Sequence, residues 1–116
     1  MNYNKTILGG HLTRDPELRQ AQNDTTLCKF GVAINRKRGE REETCFVDLV
    51  AFGRTAEVIA EHFRKGDPIL VEGRLSYSTW VAHDDTKRSK HEVIVETFSF
   101  VGGKQRADAS KQDVPF

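Results

Sequence analysis

The chain has 116 residues, of which 37% are hydrophobic and 30% charged, with a formal net charge of +1. That length suits one domain with a short tail, large enough to bury a core without disulfide staples. The near-neutral balance, taken alone, argues weakly against a nucleic-acid binder, which is often strongly basic, and no run approaches the ~18 apolar residues that would span a bilayer.

The opening MNYNKTILGG lacks the basic-then-apolar layout of a secretory signal, so an intracellular, soluble protein is expected. The first strand is predicted over Asn4–Leu12, with Thr6, Leu8 and Leu12 on one face. Gly9 and Gly10 suggest a bend or bulge within it. Thr13–Glu17 reads as a turn, because Asp15 precedes Pro16. The second strand is predicted over Leu27–Asn35. Cys28, Phe30, Val32 and Ile34 point inward there, and Lys29, Gly31, Ala33 and Asn35 leave a shallow outer side. Arg36–Glu43 reads as a charged hairpin loop with Gly39 near its tip.

The third strand, Thr44–Phe52, is the informative one. Val47, Leu49 and Ala51 supply an inner apolar face, so Phe46, Asp48, Val50 and Phe52 lie on the other side. A helix is predicted next over RTAEVIAEHFRKGD. Thr55 would cap its start, Val58 or Ile59 would pair with His62 or Phe63, and Gly66 would stand at its C-terminal exit. Two further strands, Ile69–Trp80 and His91–Val101, flank a polar loop at Val81–Lys90. On the first of these, Glu72, Arg74, Ser76, Ser78 and Trp80 share a face. Beyond Gly102 and Gly103 the pattern dissolves into a disordered tail. Both cysteines, Cys28 and Cys45, fall within predicted strands and read as core or near-core residues rather than a disulfide.

Three strands, a helix and two more strands predict an all-β, five-stranded OB-fold Greek-key barrel with one α-helix between the third and fourth strands. Phe46, Phe52 and Trp80 then form aromatic platforms bordered by Arg36, Lys37, Arg38, Arg54, Arg74 and the Lys87–Lys90 segment, including Arg88. This suits single-stranded nucleic acid. Bases stack on aromatic faces for about 1–3 kcal/mol each while cations follow the phosphates, and base identity matters little because every base has a π-face. Two readings compete. Exposed aromatics also mark protein interfaces, so a protein-interaction or primosomal OB module, or an RNA-binding one, stays open. Catalysis has little to stand on: His11, His62, His83 and His91 show no ligand spacing, Asp48 is alone on the aromatic face, and no nucleotide or hydrolase motif occurs. No enzyme activity, cofactor or metal is expected. Asp48 is expected to pair with an arginine such as Arg74 across the sheet.

Four stretches, in order, resemble the bacterial-type single-stranded DNA-binding protein family: NKTILGGHLTRDPELR, FVDLVAFGRTAEVIAEHFRKGD, ILVEGRLSYSTW and the closing Asp113-Val114-Pro115-Phe116. The resemblance covers about residues 3–103 and the last four. It implies an OB-fold homotetramer in the cytoplasm, associated with the nucleoid. Such a protein binds single-stranded DNA during replication, recombination and repair, without catalysis. By position, Phe46 stands where that family has a stacking tryptophan, Phe52 where it has phenylalanine and Trp80 where it has tryptophan. Lys5 and Arg14 join the expected DNA contacts. Where the family often places another tryptophan early in the second hairpin, this chain has Arg36, Lys37 and Arg38, whose guanidinium planes can stack and also meet phosphate. The resemblance also implies a DNA-binding domain over residues 1–103 and a short flexible tail over 104–116 whose tip, Asp113–Phe116, binds replication and repair proteins. Here the linker is short, and Asp113 is the lone acid of the tip.

Overall fold

The computed structural model describes residues 1–101; the tail, with Asp113, Val114, Pro115 and Phe116, lies outside the described residues. The elements are β1 (Thr6–Leu12), β2 (Glu17–Gln20), β3 (Thr26–Arg38), β4 (Arg41–Phe52), α1 (Gly53–His62), β5 (Pro68–Val81) and β6 (Lys87–Phe100), with a short 3-10 turn at Gln22–Asp24. Five strands close into a barrel. β5, β6, β4 and β3 follow one another, β4 and β6 run parallel, and β1 pairs antiparallel with β5 on one side and β3 on the other. The helix enters between the third and fourth barrel strands, as the OB-fold expectation requires. The sixth strand, β2, sits where a turn was expected to end and adds itself to the outer edge of β3.

Alternation built the core as the sequence foretold. Cys28, Phe30 and Val32 on β3 face Leu49 and Ala51 on β4, and all five are essentially sealed from solvent. Val50 keeps the outward alternation of β4 but is covered on that side. It is buried, flanked by Lys29 and Ile94 across its two ladders. Gly9 and Gly10 form no bulge, since the β1–β5 register runs unbroken past them. Gly10 serves barrel closure instead: a Cβ there would stand 2.5 Å from the Ala33 carbonyl oxygen.

The bulge lies elsewhere. Glu72 pairs with Thr97 but Gly73 pairs with Val95, so Glu96 is the extra residue on β6. β5 keeps one alternation throughout, whereas β6 switches, turning Phe98 and Phe100 inward on one side of the bulge and Val95 and Val93 on the other. At Gly73 an added Cβ would collide with the Ile94 carbonyl.

Both hairpins are longer than the sequence suggested. Arg36, Lys37 and Arg38 belong to β3 and pair with Glu43, Glu42 and Arg41, leaving Gly39 (φ 63°) and Glu40 as the tip. Opposite charges directly across at Arg36–Glu43 and Lys37–Glu42 favour the ladder against the like pair Arg38–Arg41 at its end, so a segment with loop-like composition is strand. Likewise β6 begins at Lys87. The turn before it is closed by Ala82 N–H donating to the Thr86 carbonyl at 2.9 Å and by the Thr86 hydroxyl donating to Asp84 at 2.6 Å.

The helix buries Ala56 and Ile59, and Phe63 just beyond it stacks on Phe100 with centroids 4.8 Å apart. Thr55 makes no cap; Phe52 holds the N-cap position without a side-chain hydrogen bond. Gly66 (φ 91°) is not the exit residue either. The end of the helix is satisfied by the Arg64 guanidinium, which donates to the carbonyls of Ala60 at 3.0 Å and Phe63 at 2.7 Å. Gly66 lies in the following turn, where its N–H donates to the Leu12 carbonyl at 2.8 Å and ties that turn to β1. No helix among the described residues is long and apolar enough to cross a membrane.

Candidate nucleic-acid interface

Because β4 carries an inner face complete in Leu49 and Ala51, Phe46, Asp48 and Phe52 on its other alternation project outward, with Val50 covered between them. Phe46 is 72% exposed and Phe52 44%. Their neighbours on β3 are small where it matters: Ala33 stands opposite Phe46 and Gly31 opposite Asp48, so the floor beside the rings is low. Trp80, 45% exposed, projects from the outward alternation of β5 that it shares with Arg74, Ser76 and Ser78. β6 lies between β4 and β5, and its Arg88 stands opposite Trp80 while Lys90 reaches Asp48. The three expected platforms thus lie on the outer face of one continuous sheet, outside the core.

The expected cations divide. Lys5 pairs with Glu72 at 2.6 Å, and that contact, chiefly its hydrogen bond, raises the lysine pKa from its ordinary value. Arg74 pairs with Glu96 at 3.5 Å rather than with Asp48. Asp48 instead meets Lys90 at 3.3 Å and Arg14 at 3.8 Å. The bulge accounts for the correction: it thrusts Glu96 out beside Arg74, while the turn after β1 lays Arg14 across Gly31 towards Asp48. Arg54, at the start of the helix and next to Phe52, pairs with Glu57 at 3.4 Å. Arg88 meets Asp84 at 3.6 Å; Asp84 itself has a lowered pKa, held first by the hydrogen bond from the Thr86 side chain.

Being in strands, the basic clusters are split between faces. Lys37 continues the Phe46 side of β3, whereas Arg36 and Arg38 take the other alternation. Arg88 and Lys90 join the Trp80 side, and Lys87, opposite Val81, faces away. Among the described residues no carboxylate lies within ion-pair distance of Arg36, Lys37, Arg38 or Lys87. Sequence reasoning passed over Tyr77, 58% exposed and 4.7 Å from His91 between ring centroids. It extends the inner alternation of β5 beyond the barrel, a signal present in its odd-numbered spacing from Val71 and Leu75. Cys45 is exposed, not core, because its inward-pointing alternation has also run past the end of the barrel; Cys28 is buried, and both thiols are free.

The comparisons agree with this architecture. Residues 3–101 match the model of the Single-strand binding protein family. The chain is 44% identical over 107 residues to the single-stranded DNA-binding protein of Wolinella succinogenes, covering 88% of this chain and 66% of that one. It is 41% identical to the Helicobacter hepaticus protein of the same name, covering 91% of this chain and 65% of that one. With single-stranded DNA-binding protein 2 of Clostridium acetobutylicum it shares 39% identity over 84% of this chain and 76% of the relative. The chain therefore spans less than two thirds of the first two relatives it matches. Among solved structures, a chain of the Plasmodium falciparum SSB complex with ssDNA superposes with a TM-score of 0.79, covering 88% of this chain and 97% of that one. At 19% identity that likeness concerns the fold alone. A closed barrel with its helix in the expected place, an outward aromatic face and a family match over nearly all the described residues lead to one conclusion: the chain belongs to the single-strand binding protein family.

Proposed function

We propose that this protein binds single-stranded DNA without sequence preference, stacking bases on Phe46, Phe52 and Trp80 and meeting phosphates with the surrounding cations. The observation that carries the reading is the exposure of all three rings on one sheet face while the core is complete without them. Burial favours apolar side chains by roughly 25 cal/mol per Å², so large rings left in water on a low, cation-edged floor call for a flat ligand. Lys5, Arg14, Arg54, Arg74, Arg88 and Lys90 border that face with charge already matched by acids, and Lys37 does so with no acid within ion-pair distance among the described residues. Arg36, Arg38 and Lys87 serve DNA that wraps around the hairpin edges. The reading requires no catalytic step, cofactor or metal.

The names borne by the relatives carry single-stranded DNA binding alone; a role in replication, recombination and repair, in the cytoplasm and on the nucleoid, belongs to the proposal. Assembly as a homotetramer and recruitment of replication and repair proteins by Asp113–Phe116 complete the proposal. Trp80 supplies the test, because it is the only tryptophan in the sequence. Oligo-dT is expected to quench its emission and duplex of equal length to leave it unchanged. Unchanged emission with no binding at low salt overturns the reading in favour of a protein-interaction module.

A further inference from the structure

Asp48 lies between the exposed rings of Phe46 and Phe52 on the outer alternation of β4, an odd place for a negative charge on a surface meant for phosphates. Its two oxygens take different cations. Oδ1 faces Arg14 Nη2 at 3.8 Å and Oδ2 faces Lys90 Nζ at 3.3 Å. Arg14 arrives from the turn after β1 and Lys90 from β6, so one carboxylate ties together both flanks of the face. The approach of Arg14 is prepared by the backbone. Gly31 stands opposite Asp48, and a Cβ there would come 2.9 Å from Arg14 Nη1 and 2.8 Å from Thr13 Oγ1. The Thr13 N–H donates to the Gly31 carbonyl at 2.9 Å, which holds that turn against β3. An empty side chain at 31 is what lets the guanidinium lie down towards the acid.

A carboxylate between a guanidinium and an ammonium occupies the donors that a phosphate takes. We propose that Asp48 is a built-in stand-in for a nucleic-acid phosphate: it occupies Arg14 and Lys90 in the free protein, and an incoming strand must displace it. This rests on the reading of the face as a single-stranded DNA site. The side chains of Arg14, Asp48 and Lys90 are 50%, 46% and 37% exposed, so the clip adds little to folding and opens readily. Once it has opened, the carboxylate remains within a Debye length (about 8–10 Å) of the phosphates and repels them. Asp48 therefore weakens binding and flattens its salt dependence relative to the same cations left free.

The experiment titrates the intact protein with oligo-dT, following Trp80 emission at several salt concentrations, alongside Asp48→Asn, Arg14→Ala and the double variant. Asp48→Asn keeps the shape and removes the charge. It is expected to bind about threefold to tenfold tighter at low salt, with the slope of log affinity against log salt steeper by about 0.7 for each additional phosphate neutralised. Arg14→Ala is expected to cost more in the Asp48→Asn background than in the parent, where the acid already occupies the guanidinium. Weaker or unchanged binding by Asp48→Asn overturns the proposal in favour of an acid that merely positions the cations. So do equal costs of Arg14→Ala in the two backgrounds, a comparison that holds even if one background is less stable. Failure of the parent protein to bind oligo-dT at all overturns the proposed function instead, so the two failures are distinguishable.

Discussion

Replacing Phe46 by alanine separates the binding face from the core. The ring is 72% exposed and lies outside the buried cluster, so its removal leaves almost no cavity. The expected change in folding stability is within about 0.5 kcal/mol, as for other surface substitutions. Leu49, on the same strand with the opposite orientation, is 1% exposed, and Leu49→Ala is expected to cost about 2–5 kcal/mol of stability. For DNA the order reverses. One stacking platform is worth about 1–3 kcal/mol, and each 1.4 kcal/mol is tenfold in affinity. Phe46→Ala should therefore raise the Kd for oligo-dT by about 5- to 150-fold. Trp80 is retained in this variant and reports binding by fluorescence, while circular dichroism follows melting. An affinity within twofold of the parent, with melting unchanged, would refute the role of the ring. A melting loss as large as that of Leu49→Ala would refute its placement on the surface.

Gly73→Ala drives a methyl into the Ile94 backbone at the bulge, and overpacking of this kind costs about 1–3 kcal/mol; melting at the parent temperature would refute the bulge geometry. Burial, aided by the Glu17 charge, pushes the Cys28 thiol up to about 11, so an aromatic disulfide reagent should titrate only Cys45 in the native protein and both thiols after denaturation. Because the folded pKa of Cys28 is raised, the stability it confers is full below about pH 9 and drains away as pH climbs through 11; melting temperatures that stay level across that window would contradict its burial. Lys37→Ala is expected to lower the salt slope of binding by about 0.7, and removing Arg36 and Arg38 together to lower it by less, since only Lys37 continues the Phe46 side; the opposite order would sink that assignment. Deleting Asp113–Phe116 should spare affinity for oligo-dT and abolish capture of replication and repair proteins, and undiminished capture would remove the tail from the functional account.

What could be read from residue order alone was whatever depends on neighbours in the chain. Period-two alternation is a local property, so the inner Leu49–Ala51 face, the outer Phe46–Phe52 face and the Arg74–Trp80 side were all legible before any fold was known. The apolar spacing that buries Ile59 and Phe63 was equally local. The ends of elements were not. Arg36–Arg38 and Lys87–Lys90 have the composition of loops, and only partners across the hairpins make them strand. Glu96 carries no mark of a bulge; it becomes one because Gly73 must pass close to Ile94 as the sheet curls shut. That curl in turn sends Arg74 to Glu96 and leaves Asp48 to Arg14 and Lys90, residues distant in sequence from it and from each other. The side of a strand on which a residue lies is decided by its immediate neighbours, but which charge it meets is decided by closure of the barrel, because ion pairs form through space and not along the chain.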